Sequence, residues 1–282
     1  MKSKLYSSCA VDAGSFAAAH NLCASEALNR LQPLLSANDA MRKALARSCL
    51  GAHPKQETSG VLFQMLVSAV MAIEAAIALY TTGFEKCVPW VTRRAVGISI
   101  DVLYILDGDP ADRFGAFMRA FLKEEAAALR SWKTRLNGLP DDARQVSQHS
   151  YHNAATCYEA FAQVVHGEWP NSGRAWPQNG SDKFDQVGMG LVFDASHRRY
   201  AYDTVCEARG LLESFITAAL PPAAQEGIEA DAIATVEMQI YFAALIVNQA
   251  SWAYCGEHPD VEALHMLVQA RETTEEQLQK LM

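Results

Sequence analysis

One segment limits the possible folds more than any other: residues 61–80 read VLFQMLVSAVMAIEAAIALY. Its only polar interruptions are Gln64, Ser68 and Glu74. The length suits a membrane-spanning helix, but an ionised Glu74 is costly inside lipid. We therefore predict a central helix of a water-soluble protein, buried by the helices around it, and no membrane partner.

Glycine and proline separate the rest of the chain into long segments, as they do in helical proteins. Within these segments apolar residues recur at helical spacing, and no strand-like alternation exceeds five residues. We predict an all-α fold. The predicted helices cover residues 15–32, 38–50, 58–82, 84–106, 110–136, 141–166, 181–188, 193–220, 223–254 and 260–281.

The most apolar of these helices, 58–82 and 223–254, are expected at the centre, because a helix that is apolar on most sides must be covered on most sides. We therefore predict a single multi-helix bundle of about ten helices with two central apolar helices. The length of 282 residues suits one large domain. The predicted domain spans residues 1–282, with residues 1–52 as a candidate two-helix extension.

The charge and cysteine content restrict the partners and the compartment. A formal net charge of −8 disfavours contact with nucleic-acid phosphates unless basic residues cluster. Adjacent lysine or arginine residues occur only in pairs, among them Arg93–Arg94 and Arg198–Arg199. The seven cysteines include no C-x-x-C pair, which is typical of reduced thiols. We expect a cytoplasmic protein that does not bind duplex nucleic acid.

Arg144 and His149 form an Arg-x4-His element in the sixth predicted helix. The element resembles the Arg-x4-6-His motif of HEPN-type ribonucleases. The resemblance implies that the arginine binds the scissile phosphate while the histidine acts as acid or base. Arg144 and His149 are therefore candidate catalytic residues. A similar spacing occurs at Arg47 and His53, and a solvated helix face is the favoured interpretation of both.

A histidine pair raises the question of a metal site. His149 and His152, at positions i and i+3, share one helix face and are spaced for a common metal ion. Di-iron bundles, however, need two Glu-x-x-His elements and two further glutamates. The chain has one such element, Glu262 to His265. We predict no metal and no cofactor, and keep a metal-dependent enzyme as an alternative.

Glu74 and Glu237 are isolated carboxylates in otherwise apolar helices. A buried charge is costly unless it is paired, so each should contact an arginine, histidine, tyrosine or ligand. Arg93 or Arg94 is the predicted partner of Glu74. A buried ion pair that fixes helix register is favoured over an active-site acid, and both glutamates remain candidate ligand residues.

Two Trp-Pro dipeptides, beginning at Trp169 and Trp176, flank Arg174 in the loop 167–180. Exposed tryptophans at such a place mark an interface or a lid, whereas buried ones seal the end of a bundle. The second interpretation is favoured. Trp169, Arg174 and Trp176 are nevertheless kept as candidate ligand or interface residues.

Residues 92–210 contain three features in order. The first is an Arg-led helix that ends with an aromatic residue and an acidic-Pro turn. The second is a Phe-rich helix, and the third is a Trp loop that precedes an aromatic-led helix. The corresponding segments are Arg94 to Pro110, Phe114 to Leu122, and Trp176 to Tyr202. This stretch resembles the uncharacterised bacterial helical family called domain of unknown function 5677. Such families usually have a Tyr-x3-Ser-x3-His pattern in the last helix. The matching residues here are Tyr202, Cys206 and Gly210, so that histidine is absent.

These observations favour a non-enzymatic helical protein that binds a protein or a ligand, in a defence or stress process. We expect a homodimer or a complex with a protein partner, and the sequence points to no class of small-molecule ligand. The first alternative is a HEPN-like, metal-independent ribonuclease that uses Arg144 and His149. The second is a metal-dependent helical-bundle enzyme.

Overall fold

The computed structural model describes residues 17, 26–51, 57–169, 173, 175–193, 219–257 and 260–281. These residues form helices and turns without any strand, which confirms the predicted all-α fold. One short 3-10 helix, Glu85–Cys87, accompanies the α-helices. Numbered α1 to α10 in chain order, the described α-helices are Glu26–Arg30, Gln32–Gly51, Glu57–Thr81, Val88–Leu106, Pro110–Leu136, Asp141–Glu168, Gly180–Gln186, Gly190–Phe193, Pro222–Glu257 and Val261–Leu281.

Local signals explain where several helices begin and end. Asp109 caps α5, where its side chain accepts hydrogen bonds from two backbone amides of the first turn, and Pro110 is the first helical residue. Asp260 accepts the corresponding amide bonds at the start of α10. After α3, Gly83 adopts the left-handed conformation, with φ at 81°. These helix boundaries agree with the predicted ones to within one residue.

The predicted boundary between the first two helices is wrong. Pro33 lies in the first turn of α2 and does not end a helix, because a first-turn residue has no intrahelical partner for its N–H. Asn38, the first residue of the predicted helix 38–50, lies inside α2 and is 1% exposed, with Nδ2 donating to the carbonyl of Val70 at 3.4 Å. The predicted helix 193–220 lies mostly outside the described residues.

The chain divides into two compact units. The first comprises residues 1–103 and 183–282, and the second residues 104–182. Each is described by itself below. The prediction of one domain stays a prediction.

In the first unit α2, α3, α9 and α10 pack together. Hydrogen bonds between Ser59 and Tyr254 near one end, and between Tyr80 and Glu237 near the other, show that α3 and α9 are antiparallel. The largest fully buried side chains of the unit include Leu66, Ile73, Tyr241, Tyr254 and Met41. The bundle therefore has the two predicted apolar helices in its core.

Both apolar helices also meet the length and composition of a membrane span. The segments are Thr58–Thr81 and Ile233–Glu257, and half of the most apolar window of each is buried inside the structure. Core helices of soluble proteins share these properties.

In the second unit α5 and α6 pack against each other as an antiparallel hairpin. The turn 137–140 joins them. Asn137 and Gly138 donate their backbone amides to the carbonyl of Arg135, which closes the end of α5. The hairpin is the longest continuous pair of helices in the described part of this unit.

Because Ile73 is fully buried, its replacement by alanine should leave a cavity in the first unit. We expect Ile73→Ala to lower the free energy of unfolding by about 2–5 kcal/mol. Met71→Ala, on the exposed side of the same helix, should cost less than about 1 kcal/mol. Urea denaturation followed by circular dichroism measures both, and equal losses would contradict the placement of α3.

Candidate functional site

The side of α6 that faces α5 has side chains at a regular heptad spacing. Its side chains recur at alternating intervals of three and four residues, and all of them are buried or half-buried. They are Arg144, Ser147, Tyr151, Ala154, Tyr158, Phe161 and Val165. This spacing is the one by which two helices pack side by side along their length.

Aromatic side chains dominate the contact between α5 and α6. Trp132 meets Tyr151 edge to face, with ring centroids 5.8 Å apart, and Phe121 meets Phe161 in the same way at 5.5 Å. Leu122 and Leu136 are buried on the α5 side of the contact. The hairpin thus has its own apolar contact surface.

A second heptad-spaced row runs along the outside of α5. Its members are Phe121, Glu124, Ala128, Ser131 and Arg135, again at intervals of three and four residues. We call this row the α5 outer stripe. All five residues are exposed, and Phe121 is 42% exposed despite its contact with α6. Side chains with this spacing point in one direction from the helix, so the row forms one continuous exposed strip.

The only charged residues of the α5 outer stripe are Glu124 and Arg135. Glu124 and Arg135 are about 16 Å apart along the helix at 1.5 Å per residue. Neither side chain forms an ion pair with any described residue. Between them lie Ala128 and Ser131, which are small enough for another helix to approach closely.

The end of the hairpin opposite the turn is held by an aromatic cluster. Trp169 packs on Phe114 with ring centroids 5.1 Å apart, and Trp176 packs on Tyr104 at 5.1 Å and on Phe117 at 5.2 Å. Both tryptophans are half-buried, in keeping with the sealing interpretation. Their role as ligand or interface residues stays a prediction.

Arg113 joins this cluster from the start of α5. It is buried, and its guanidinium lies over the Tyr104 ring at 4.4 Å from the centroid while donating to the Tyr104 carbonyl. Asp107 accepts a further bond at 3.4 Å. Arg174, named with the two tryptophans in the sequence, lies outside the described residues.

The proposed catalytic pair is not joined by a contact within the described structure. Arg144 donates to the carbonyl of Leu139 at 2.7 Å, which ties α6 to the turn before it. His149 is exposed, and its Nε2 lies 3.3 Å from the amide nitrogen of Asn153. Five residues of helix rotate the two side chains about 140° apart. Their assignment as catalytic residues stays a prediction.

The histidine pair His149 and His152 faces solvent on α6. Within the described ranges, no group of three or more histidine, cysteine, aspartate or glutamate side chains is arranged to hold a metal ion. His265 of the Glu-x-x-His element is also exposed.

Glu74 is paired, but its partner differs from the predicted one. Arg42 of α2 forms the ion pair, and Arg94 is exposed on α4. The prediction was wrong because it chose the next helix in the sequence. In the structure α2 packs against α3, as the bond from Asn38 to Val70 also shows.

Glu237 is the centre of a buried polar network. Tyr80 donates to its Oε2 at 3.0 Å, and the Nε of Arg30 lies 3.7 Å from the same oxygen. Arg30 also donates to the Tyr80 hydroxyl at 3.3 Å, and Tyr241 donates to the Arg30 carbonyl at 3.3 Å. The network ties α1, α3 and α9 together. The sequence predicted that Glu237 is paired but gave no sign of which residues pair with it.

Burial changes the acidity of the two phenols in this network. The pKa of Tyr80 is raised above its ordinary value, chiefly by loss of solvent. The pKa of Tyr241 is raised further, first by burial and then by the negative charge of Glu237. Both phenols are therefore held in the neutral form that the hydrogen bonds require.

Comparison with known proteins gave no match to any family model, any curated protein or any solved structure. The resemblance of residues 92–210 to domain of unknown function 5677 stays a prediction.

The raised phenol pKa values predict the stability of the first unit at high pH. An unfolded tyrosine titrates near 10.0, and both folded values lie above this. The stabilisation is therefore complete below about pH 10 and is lost as the pH rises through the folded values. Tyr241→Phe should make that decline shallower. Urea denaturation from pH 8 to pH 12 measures the slope, and the same slope in both proteins would contradict the prediction.

Proposed function

We propose that this protein acts by binding other protein chains, and that the α5–α6 hairpin is its binding element. The observation that supports the proposal is the α5 outer stripe, an exposed row of side chains with helix-packing spacing. A second helix can pack along such a row when its own side chains are complementary in size and charge.

The composition of the stripe suits a helical partner. Phe121 is a large, partly exposed apolar side chain, and aromatic side chains supply much of the binding energy of protein interfaces. Ala128 and Ser131 in the middle leave room for a close helix axis, and the charges of Glu124 and Arg135 lie at the ends. The stripe thus has small side chains between two charges and an aromatic side chain at one end, and charged side chains are typical of the rim of an interface.

The hairpin is also held rigid in advance. Asp109 caps the first turn of α5, and the aromatic cluster around Trp169 and Trp176 fixes the same end. A surface that is already ordered loses little conformational entropy when a partner binds. Rigidity therefore favours binding by this element.

The two candidate acids support binding over acid–base catalysis. Glu74 is paired with Arg42, and Glu237 with Tyr80 and Arg30. A carboxylate compensated in this way stabilises helix contacts, whereas a catalytic acid or base must be within reach of a substrate. The defence or stress process, the ribonuclease and the metal-dependent enzyme suggested by the sequence stay predictions without support from these contacts.

Photo-cross-linking in the cells that produce the protein tests the proposal. A benzophenone amino acid placed at Ala128 or at Ser131 should form covalent adducts with a protein, because both positions lie in the stripe. The same amino acid at Glu272, an exposed position of α10, is the matched control and should give few adducts. Gel mobility and mass spectrometry of the adducts identify what was captured.

The proposal is wrong if adducts at Ala128 and Ser131 are no more abundant than those at Glu272. It is also wrong if the adducts at the stripe contain only nucleic acid or lipid.

A further inference from the structure

We infer that the partner of the α5 outer stripe is a second copy of this chain, packed antiparallel through the same stripe. The inference rests on the proposed binding role of the hairpin. It goes further because it names the occupant, the orientation and the residues that meet.

The spacing of the last four residues of the stripe is the same when it is read in either direction. From Glu124 to Ala128, Ser131 and Arg135 the intervals are four, three and four residues. Two antiparallel copies related by a two-fold axis between Leu129 and Arg130 therefore bring equivalent positions together. Ala128 then lies opposite the partner's Ser131, and Glu124 lies opposite the partner's Arg135. A symmetric interface requires this kind of self-complementarity.

The charges select the antiparallel orientation. In it each Glu124 meets an arginine, and the symmetry forms that ion pair twice. In a parallel arrangement Glu124 would face the partner's Glu124 and Arg135 would face the partner's Arg135. Like charges brought together at an interface are strongly unfavourable. Neither side chain is engaged by a described residue of its own chain, so both remain available for the partner.

The side chains between the charges permit close contact. Ala128 and Ser131 are small, and small contact residues favour the lower end of the 8–10 Å range of helix-axis separations. At one end Phe121 lies beside the end of the partner's α5, next to the turn 137–140. Its exposed face would then be covered by the turn of the partner's hairpin.

The size of the stripe sets the strength of the association. One helix pair over four turns buries less surface than a standard stable interface. We therefore expect a dissociation constant of about 1–100 μM. The protein concentrations used in the measurements below must extend above this range.

Sedimentation equilibrium of the full-length chain and of two charge-reversal variants tests the inference. The wild type should be a reversible dimer. Glu124→Arg and Arg135→Glu should each weaken self-association at least about tenfold, because each places like charges opposite each other twice. An equimolar mixture of the two variants should recover wild-type association as a heterodimer, in which both ion pairs form again, one with the original polarity and one with the charges reversed.

Arg130→Glu is the matched control. It changes the charge by the same amount as Arg135→Glu and is exposed on the same helix, but lies about 140° around the axis from Arg135. It should leave the dissociation constant within about twofold of wild type, consistent with a rim charge outside the contact. Circular dichroism and thermal unfolding confirm that each variant folds as wild type does.

The inference is overturned if the wild type remains monomeric well above 100 μM, roughly the weakest association expected of so small a contact. It is equally overturned if the mixture of Glu124→Arg and Arg135→Glu fails to associate. Cross-links from Ser131 to a different protein, with a monomeric wild type, would refute self-pairing and leave the proposed binding role standing. The absence of both stripe cross-links and self-association would refute both.

Discussion

The first unit depends on the contact between α3 and α9, two helices too apolar to be left in water. Such a contact is favourable but not directional, because apolar surfaces slide over one another at little cost. The polar groups inside the contact fix the position of the two helices relative to each other. Glu237, only 5% exposed, requires the Tyr80 hydroxyl and Arg30, and Tyr254 bonds to Ser59 near the other end. Together these bonds fix how far one helix is displaced along the other, and Arg30 ties α1 to the same network.

Much of the helical pattern could be predicted because the breaks are chemically distinct. Asp109 and Pro110 specify the start of α5 by a cap and a fixed φ angle, and Gly83 follows α3 in a conformation that other residues avoid. The predicted boundary at Pro33 and Asn38 was wrong because it also relied on local signals alone. Each residue type has two ordinary uses, at a helix start or elsewhere, and only the packing of α2 against α3 decides which one applies.

The candidate sites show where sequence reasoning ends. The isolation of Glu74 and Glu237 indicated that each needs a partner, since the cost of burying a charge does not depend on the fold. The identity of the partner does depend on it, so Arg42 was missed. The α5 outer stripe was missed for a similar reason. Its spacing is visible in the sequence, but only the position of α6 shows which side of α5 is already covered.

The capped start of α5 has a consequence for how this part of the chain can change in evolution. Pro110 and Asp109 fix the first residue of the helix, so every later side chain has a set direction. One inserted or deleted residue before Glu124 would turn the whole remaining surface by about 100°. Substitutions in α5 are then local events, whereas length changes are tolerated only in steps close to seven residues. Related chains should therefore differ here in composition far more than in length.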